Sequence, residues 1–181
     1  MQQIHIIRHG QSVANQQRII AGQHESPLSD LGVEQAHAAA ASARHFEFDT
    51  IVSSPMSRAR QTAEIIATHN GIALDEIIFM PELKERHLGE LEGKSYDSTP
   101  FGSGNVEDAE GAKDIEPIDH LYKRAEAALE GIYELPGRHI LVVCHNGVGR
   151  MLRTIASGGK PLEIYDQPRM ENAVIYPLSD I

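Results

Sequence analysis

Residues 140–156 read ILVVCHNGVGRMLRTIA. The opening run, Ile140–Cys144, is apolar without interruption, as a strand buried on both faces requires. The next stretch, Asn146 to about Ala156, reads as a helix. Such a strand needs neighbours, and the rest of the chain supplies them. Ile4–Ile7, Thr50–Val52, Ala73–Phe79 and Ala173–Tyr176 are short β-type runs. Between them lie helical patterns: an alanine-rich stretch from Leu31 to about Phe46, Pro55 to about His69, and Ile118 to about Leu135, which Pro136-Gly137 ends. Ser54 stands where it would cap the second of these, with Pro55 at the first helical position, where its missing N–H costs nothing. Strands alternating with helices predict an α/β fold with a mostly parallel sheet covered on both faces.

The chain's 181 residues suit one domain, at roughly 150 residues per domain. Residues 95–116, rich in Gly, Pro, Ser, Asp and Glu, read as an irregular inserted loop too short to be a second domain. The apolar fraction of 41% and charged fraction of 23% are ordinary for a globular protein. No apolar stretch reaches the roughly 18 residues of a membrane span, and MQQIHIIRHG at the start lacks the pattern of a secretory signal. A single cysteine, Cys144, rules out an internal disulfide and suits a reducing cytoplasmic setting. The net charge of −10 argues against nucleic-acid and anionic-membrane partners. An anionic ligand would have to sit where the few arginines are concentrated.

Three strand ends carry related chemistry. Arg8-His9-Gly10 follows the first strand, Ser53-Ser54-Pro55-Met56-Ser57-Arg58 the second, and His145-Asn146-Gly147 the run at 140–144. Ligands of open parallel sheets bind beyond the carboxyl ends of the strands, so the three clusters form one site if their strands are neighbours. The arginine fork matches phosphate oxygens in a bidentate way. A neutral imidazole is a nucleophile or an acid–base group near neutral pH. Arg8, Arg58, His9 and His145 therefore suit phosphoryl transfer without a metal, which needs charge stabilisation and an in-line nucleophile. A general acid for the leaving oxygen is still required, and Glu82 and Glu85 are the nearest candidates. Arg60 competes with Arg58, but the two lie about 200° apart around a helix, so one alone faces the site, and spacing to Ser53-Ser54-Pro55 selects Arg58.

The chain resembles the histidine phosphatase superfamily, which includes cofactor-dependent phosphoglycerate mutases. IIRHGQSVAN at 6–15 is similar to its RHG signature, PLSDLGVEQA at 27–36 to its second block, and VSSPMSRARQTAEII at 52–66 to its serine-proline-arginine block. LKERHLGELEG at 83–93 is similar to its acid-bearing block and LVVCHNGVGR at 141–150 to its second-histidine block. The five matches come in family order. The resemblance implies a three-layer α/β/α sandwich and no metal, and no cofactor is expected. It makes His9 the nucleophile that becomes phosphohistidine, with Arg8, Arg58 and His145 completing the phosphate pocket. Asn15 matches the asparagine that hydrogen-bonds the phosphate, and Glu85, rather than Glu82, matches the proton donor. Gly22 and Gln23 fall where the family contacts substrate. Arg58 is then expected one turn inside its helix, near the positive N-terminus.

The sequence departs from the pattern at Asn146, where many members have glycine directly after the histidine, and at Cys144, where serine is frequent. Asn146 alters the pocket's shape or adds a hydrogen bond. Cys144 and His145 would point to opposite faces of a continuing strand, so the thiol reads as a small buried apolar group and not as a partner of the histidine. Zinc-binding spacings of the C-x-x-C or H-E-x-x-H kind do not occur, and the histidines at 24, 37, 45, 69, 120 and 139 read as surface residues. The segment after Gly93 is shorter than the substrate-covering segment of mutases, which favours a phosphatase acting on a small phosphorylated metabolite. A phosphoglycerate mutase is the alternative, favoured by ERHLGELEG at 85–93, and a non-catalytic phosphate-binding module comes third. The strand at Ala173–Tyr176 is a candidate sheet edge at which a homodimer would form.

Overall fold

The apolar run at 140–144 becomes the central strand of a five-stranded sheet. The computed structural model describes residues 2–99 and 112–179. Along the chain come β1 (Gln3–Arg8), the single turn α1 (Val13–Gln16), α2 (Asp30–Ala43), β2 (Thr50–Ser53), α3 (Ser57–Asn70) and β3 (Ile78–Phe79). They are followed by α4 (Ile118–Tyr133), β4 (His139–Cys144), α5 (Asn146–Ala156) and β5 (Ile175–Ser179). The sheet order is β3-β2-β4-β1-β5, parallel throughout except for β5, which pairs antiparallel with β1 at the edge.

Alternation along the strands divides the core into two layers. Ile4, Ile6, Ile140, Val142 and Cys144 pack against Leu121, Ala125 and Leu129 of α4 and Val148, Met151 and Leu152 of α5. Ile7, Leu141 and Val143 point the other way, towards Ala39, Ala40 and Ala43 of α2 and Ala59, Ala63 and Ala67 of α3. Small residues on both helices let α2 and α3 approach each other and the sheet closely. The result is the three-layer α/β/α sandwich, with both faces of the mostly parallel sheet covered.

Several boundaries differ from expectation. Helix α3 starts at Ser57 rather than Pro55, and Ser54 does not cap it. The Ser54 hydroxyl lies 2.8 Å from His145 Nε2 instead, and the helix's first N–H, that of Ser57, is satisfied by the Glu25 carboxylate at 2.9 Å. Arg58 is accordingly the second helical residue, not one turn inside. The third strand is only Ile78–Phe79, because Leu74–Glu76 forms a 3-10 turn in which the Glu76 carboxylate accepts from the Ala73 N–H. The last strand begins at Ile175, since Ala173 takes a left-handed conformation (φ 56°) and donates its N–H to the Arg8 carbonyl at 2.9 Å. Of the loop at 95–116, residues 100–111 lie outside the described residues. Its described flanks form a 3-10 turn at Tyr96–Ser98 and a bridge between Ile115 and Leu88. Among the described residues no helix is long and apolar enough to cross a membrane.

Candidate active site

Strand order decides where the chemistry collects. With β4 between β1 and β2, Arg8 is in register with Cys144 and Ser53 with Val143. The three strands therefore end together. His9 N–H then donates to the Cys144 carbonyl at 3.0 Å and Ser54 N–H to the Val143 carbonyl at 2.9 Å. The His9 and His145 rings end up edge to face, with centroids 5.1 Å apart.

The hydrogen bonds of His9 define its tautomer. Nδ1 lies 2.6 Å from the Gly10 carbonyl, which can only accept, so Nδ1 carries the proton. Nε2 accepts from Arg58 Nε at 3.2 Å and so holds a lone pair. Arg58 is itself clamped by carbonyls, with Nη2 donating to Gly22 at 2.7 Å and Nη1 to His24 at 3.0 Å. Gly22 aims its carbonyl there from a left-handed conformation (φ 50°), and a side chain at that position would run into the Glu92 carboxylate. Burial first, and then the charges of Arg58 and Arg8, push the His9 imidazolium well below the ordinary histidine range. His145, fully buried at the start of α5, is lowered well below it too, by burial and then by Arg58. Both rings are neutral at physiological pH. His145 Nδ1 and Arg8 Nε are buried without hydrogen-bond partners among the described residues.

Glu85 also lines the cavity, with its carboxylate at the N-terminus of α5. Its carboxylate accepts from Gly147 N–H at 3.1 Å, Val148 N–H at 3.2 Å and Arg86 N–H at 2.9 Å. Two of these are the unpaired amides at the N-terminus of α5, where an anion is favoured. A Cβ at Gly147 would come within 2.5 Å of Glu85 Oε1, so this approach needs glycine. Glu82, the rival acid, is exposed and does not line the cavity.

The expected substrate residues separate. Gly22 and Asn15 line the cavity; Asn15 Oδ1 is spent on the Ser12 N–H at 3.2 Å, leaving its Nδ2 donor. Gln23 does not line it: its side chain donates to the Glu85 carbonyl at 2.9 Å and holds that backbone in place. Asn146 lines the cavity while its Oδ1 accepts from Met170 N–H at 3.0 Å. The Cys144 thiol is buried in the core and donates to the His145 carbonyl, and burial pushes its pKa far up, which makes it inert.

Several lining residues escaped the sequence reading. Arg150 follows Asn146 by one helical turn, a spacing that would have found it. Arg169 lies in the loop before β5, which reaches the site because β5 runs antiparallel and starts where β1 ends. Tyr96 and Tyr165 also line the cavity, which measures about 140 Å³, as does Arg86, which its place next to Glu85 in the sequence already makes a candidate substrate contact. Arg124 of α4 touches none of it, yet its guanidinium donates to the carbonyls of Glu82 (2.6 Å), Lys84 (2.8 Å) and Glu85 (3.1 Å) while pairing with Glu116 at 2.7 Å. Five arginines and one carboxylate line the cavity of an acidic chain. Among the described residues no group of three or more His, Cys, Asp or Glu could hold a metal ion.

Fold and pocket define an α/β protein with a cavity lined by histidine and arginine at the carboxyl ends of its central strands. The chain belongs to the histidine phosphatase superfamily (branch 1), whose sequence profile matches residues 4–179. It is 35% identical over 181 residues to the probable phosphoglycerate mutase GpmB of Yersinia pestis (strain Pestoides F), covering 95% of this chain and 82% of that protein. Among solved structures, a mycobacterial glucosyl-3-phosphoglycerate phosphatase in complex with VO3 superposes with a TM-score of 0.84 at 24% identity, over 97% of this chain and 91% of that one. The α-ribazole phosphatase of Shigella flexneri gives 0.81 at 23% identity, over 96% and 88%. At those identities the structural likeness concerns the fold.

Proposed function

We propose that this chain is a metal-independent phosphomonoesterase acting through a phosphohistidine at His9. The observation that carries this reading is the fixed tautomer of a buried, neutral His9: Nδ1–H bound to the Gly10 carbonyl, and the Nε2 lone pair beside Arg58. In the first step Nε2 attacks phosphorus and the bond to the leaving oxygen breaks. Arg8 and Arg58 hold the equatorial oxygens, His145 contributes a hydrogen bond, and Glu85 in its acid form protonates the leaving alkoxide. In the second step water attacks phosphorus, Glu85 as carboxylate takes the water's proton, and the N–P bond breaks with its electrons returning to Nε2. Asn15 Nδ2 and the Asn146 side chain contact the bound ester in this reading, which their position in the cavity lining supports.

The test is phosphate release from a panel of phosphomonoesters in EDTA, with His9→Ala as control. Release that persists in EDTA and disappears in the variant supports the reading; release by His9→Ala at the parent's rate overturns it. A second reading, a phosphoglycerate mutase, is favoured by the 35% identity to a relative bearing that name. It returns the phosphoryl group to a bound phosphoglycerate. Interconversion of 2- and 3-phosphoglycerate in the presence of a bisphosphate primer, with little phosphate release, would select it.

A further inference from the structure

Arg169 differs from the other arginines of the cavity. Arg58 commits three of its five N–H donors, to His9 and to the carbonyls of His24 and Gly22. Arg8 Nη1 donates to the Met170 carbonyl at 3.0 Å. Arg150 donates to the carbonyls of Ile164 and Gln167 at 2.7 and 3.0 Å, and Arg86 to that of Glu116 at 2.9 Å. The Arg169 guanidinium, exposed at the cavity mouth, makes no hydrogen bond or ion pair among the described residues.

Its surroundings are positive. Arg8 and Arg150 are both lowered, first by burial and further by the Arg169 charge, although the Glu85 carboxylate raises both. A third guanidinium beside two others costs Coulomb energy that an anion would offset.

Its backbone, by contrast, is held by the site. The next residue, Met170, receives the Asn146 side-chain oxygen on its N–H and the Arg8 guanidinium on its carbonyl. Two residues further, Asn172 Nδ2 donates to the His9 carbonyl at 2.8 Å. Nucleophile, phosphate arginine and Asn146 thus set the base from which the Arg169 side chain projects. Beyond it the cavity opens into a second space of about 720 Å³ that Arg8, Asn15 and Arg169 also line.

With phosphoester binding at His9 taken from the function proposed above, we propose that Arg169 is a specificity residue that binds a second anionic group of the substrate. Asn146 is a positioning residue, which holds the Arg169 backbone through Met170. The substrate class is a phosphomonoester whose alcohol bears a carboxylate or a second phosphate. A guanidinium fork suits either group. Asn146, the departure from glycine after the second histidine, thereby acquires a reason in this chain.

Two matched pairs test this: 3-phosphoglycerate against glycerol 3-phosphate, and fructose 1,6-bisphosphate against fructose 6-phosphate. For each, kcat/KM and the calorimetric Kd are measured on the parent, Arg169→Ala and Asn146→Gly. The parent is expected to prefer the doubly charged member of at least one pair tenfold or more. Which pair shows it tells carboxylate from phosphate. Arg169→Ala is expected to erase that preference, mainly through KM, and Asn146→Gly to reduce it. A parent without preference in kcat/KM or Kd, or a preference that survives Arg169→Ala, overturns the proposal while leaving phosphomonoesterase activity standing. An Arg169-dependent preference in Kd with no turnover of any ester would overturn the catalytic reading and leave the anion site standing.

Discussion

Arg58 Nε donates to His9 Nε2 across 3.2 Å, so in the proposed mechanism one arginine both orients the nucleophile's lone pair and holds the transferring phosphoryl group. Arg58→Lys keeps a charge but loses the fork that spans His9, Gly22 and His24. We expect kcat to fall about 10³-fold, the scale on which arginines act in phosphoryl transfer. Steady-state kinetics on one ester checks this, and a loss below tenfold would show that charge alone suffices.

The buried histidines also link stability to pH. Both imidazoliums are pushed well below the ordinary range, by burial foremost. The unfolded chain then takes up protons near pH 6.5 that the folded chain refuses. Their contribution to stability is complete above about pH 6.5 and is lost as pH falls towards the folded values. Each histidine contributes a slope of up to about 1.4 kcal/mol per pH unit. Urea midpoints should fall between pH 6.5 and 5, and the fall should flatten in the double variant His9→Gln, His145→Gln. The same neutrality implies that kcat/KM has no acid limb at the normal histidine pKa.

Legibility followed local constraint. The unbroken run Ile140–Cys144 located the central strand because burial on both faces leaves no room for polar residues. His9 and His145 were readable because each directly follows a strand, and strand order brings their neighbourhoods together. Ser54 misled because a serine before Pro-x-Ser looks like a cap, whereas a long-range partner, His145, takes its hydroxyl. Gln23, expected to contact substrate, donates to the Glu85 carbonyl, because a side chain near a site holds backbone as readily as ligand. Arg169 was hidden by direction: it approaches only because β5 runs antiparallel, and nothing local in the sequence states that. Arg124 looks like any helical surface arginine until the loop at 82–85 folds over it.

Protonation by Glu85 should depend on the leaving group. Glu85→Gln removes the transferable proton, and Gly147→Ala displaces the carboxylate through a Cβ 2.5 Å from Oε1. Alkyl phosphates, whose alkoxides need the proton, should lose about 10²- to 10⁴-fold in kcat. p-Nitrophenyl phosphate, whose leaving group is a stable anion, should lose far less. Equal losses on both esters would remove Glu85 from the acid role.

Arg124 holds the Glu85 backbone from outside the cavity. Its guanidinium carries the carbonyls of Glu82, Lys84 and Glu85 and pairs with the largely buried Glu116. Burial alone would raise the Glu116 carboxyl, but the hydrogen bonds and charge of Arg124 outweigh it and hold the group below the ordinary carboxylate range. A depressed folded value means that this stabilisation is present above the unfolded carboxylate pKa, near 4.3. It is lost as pH falls through the folded value. Arg124→Ala leaves three carbonyls and one carboxylate without their partner and should cost about 3 kcal/mol at neutral pH. The difference in urea midpoint between parent and variant should then narrow as pH drops below about 4. For catalysis, Arg124→Ala should lower kcat on alkyl phosphates more than on p-nitrophenyl phosphate, because the loop it releases carries Glu85. An equal effect on both would mean that Arg124 stabilises the fold without positioning the acid.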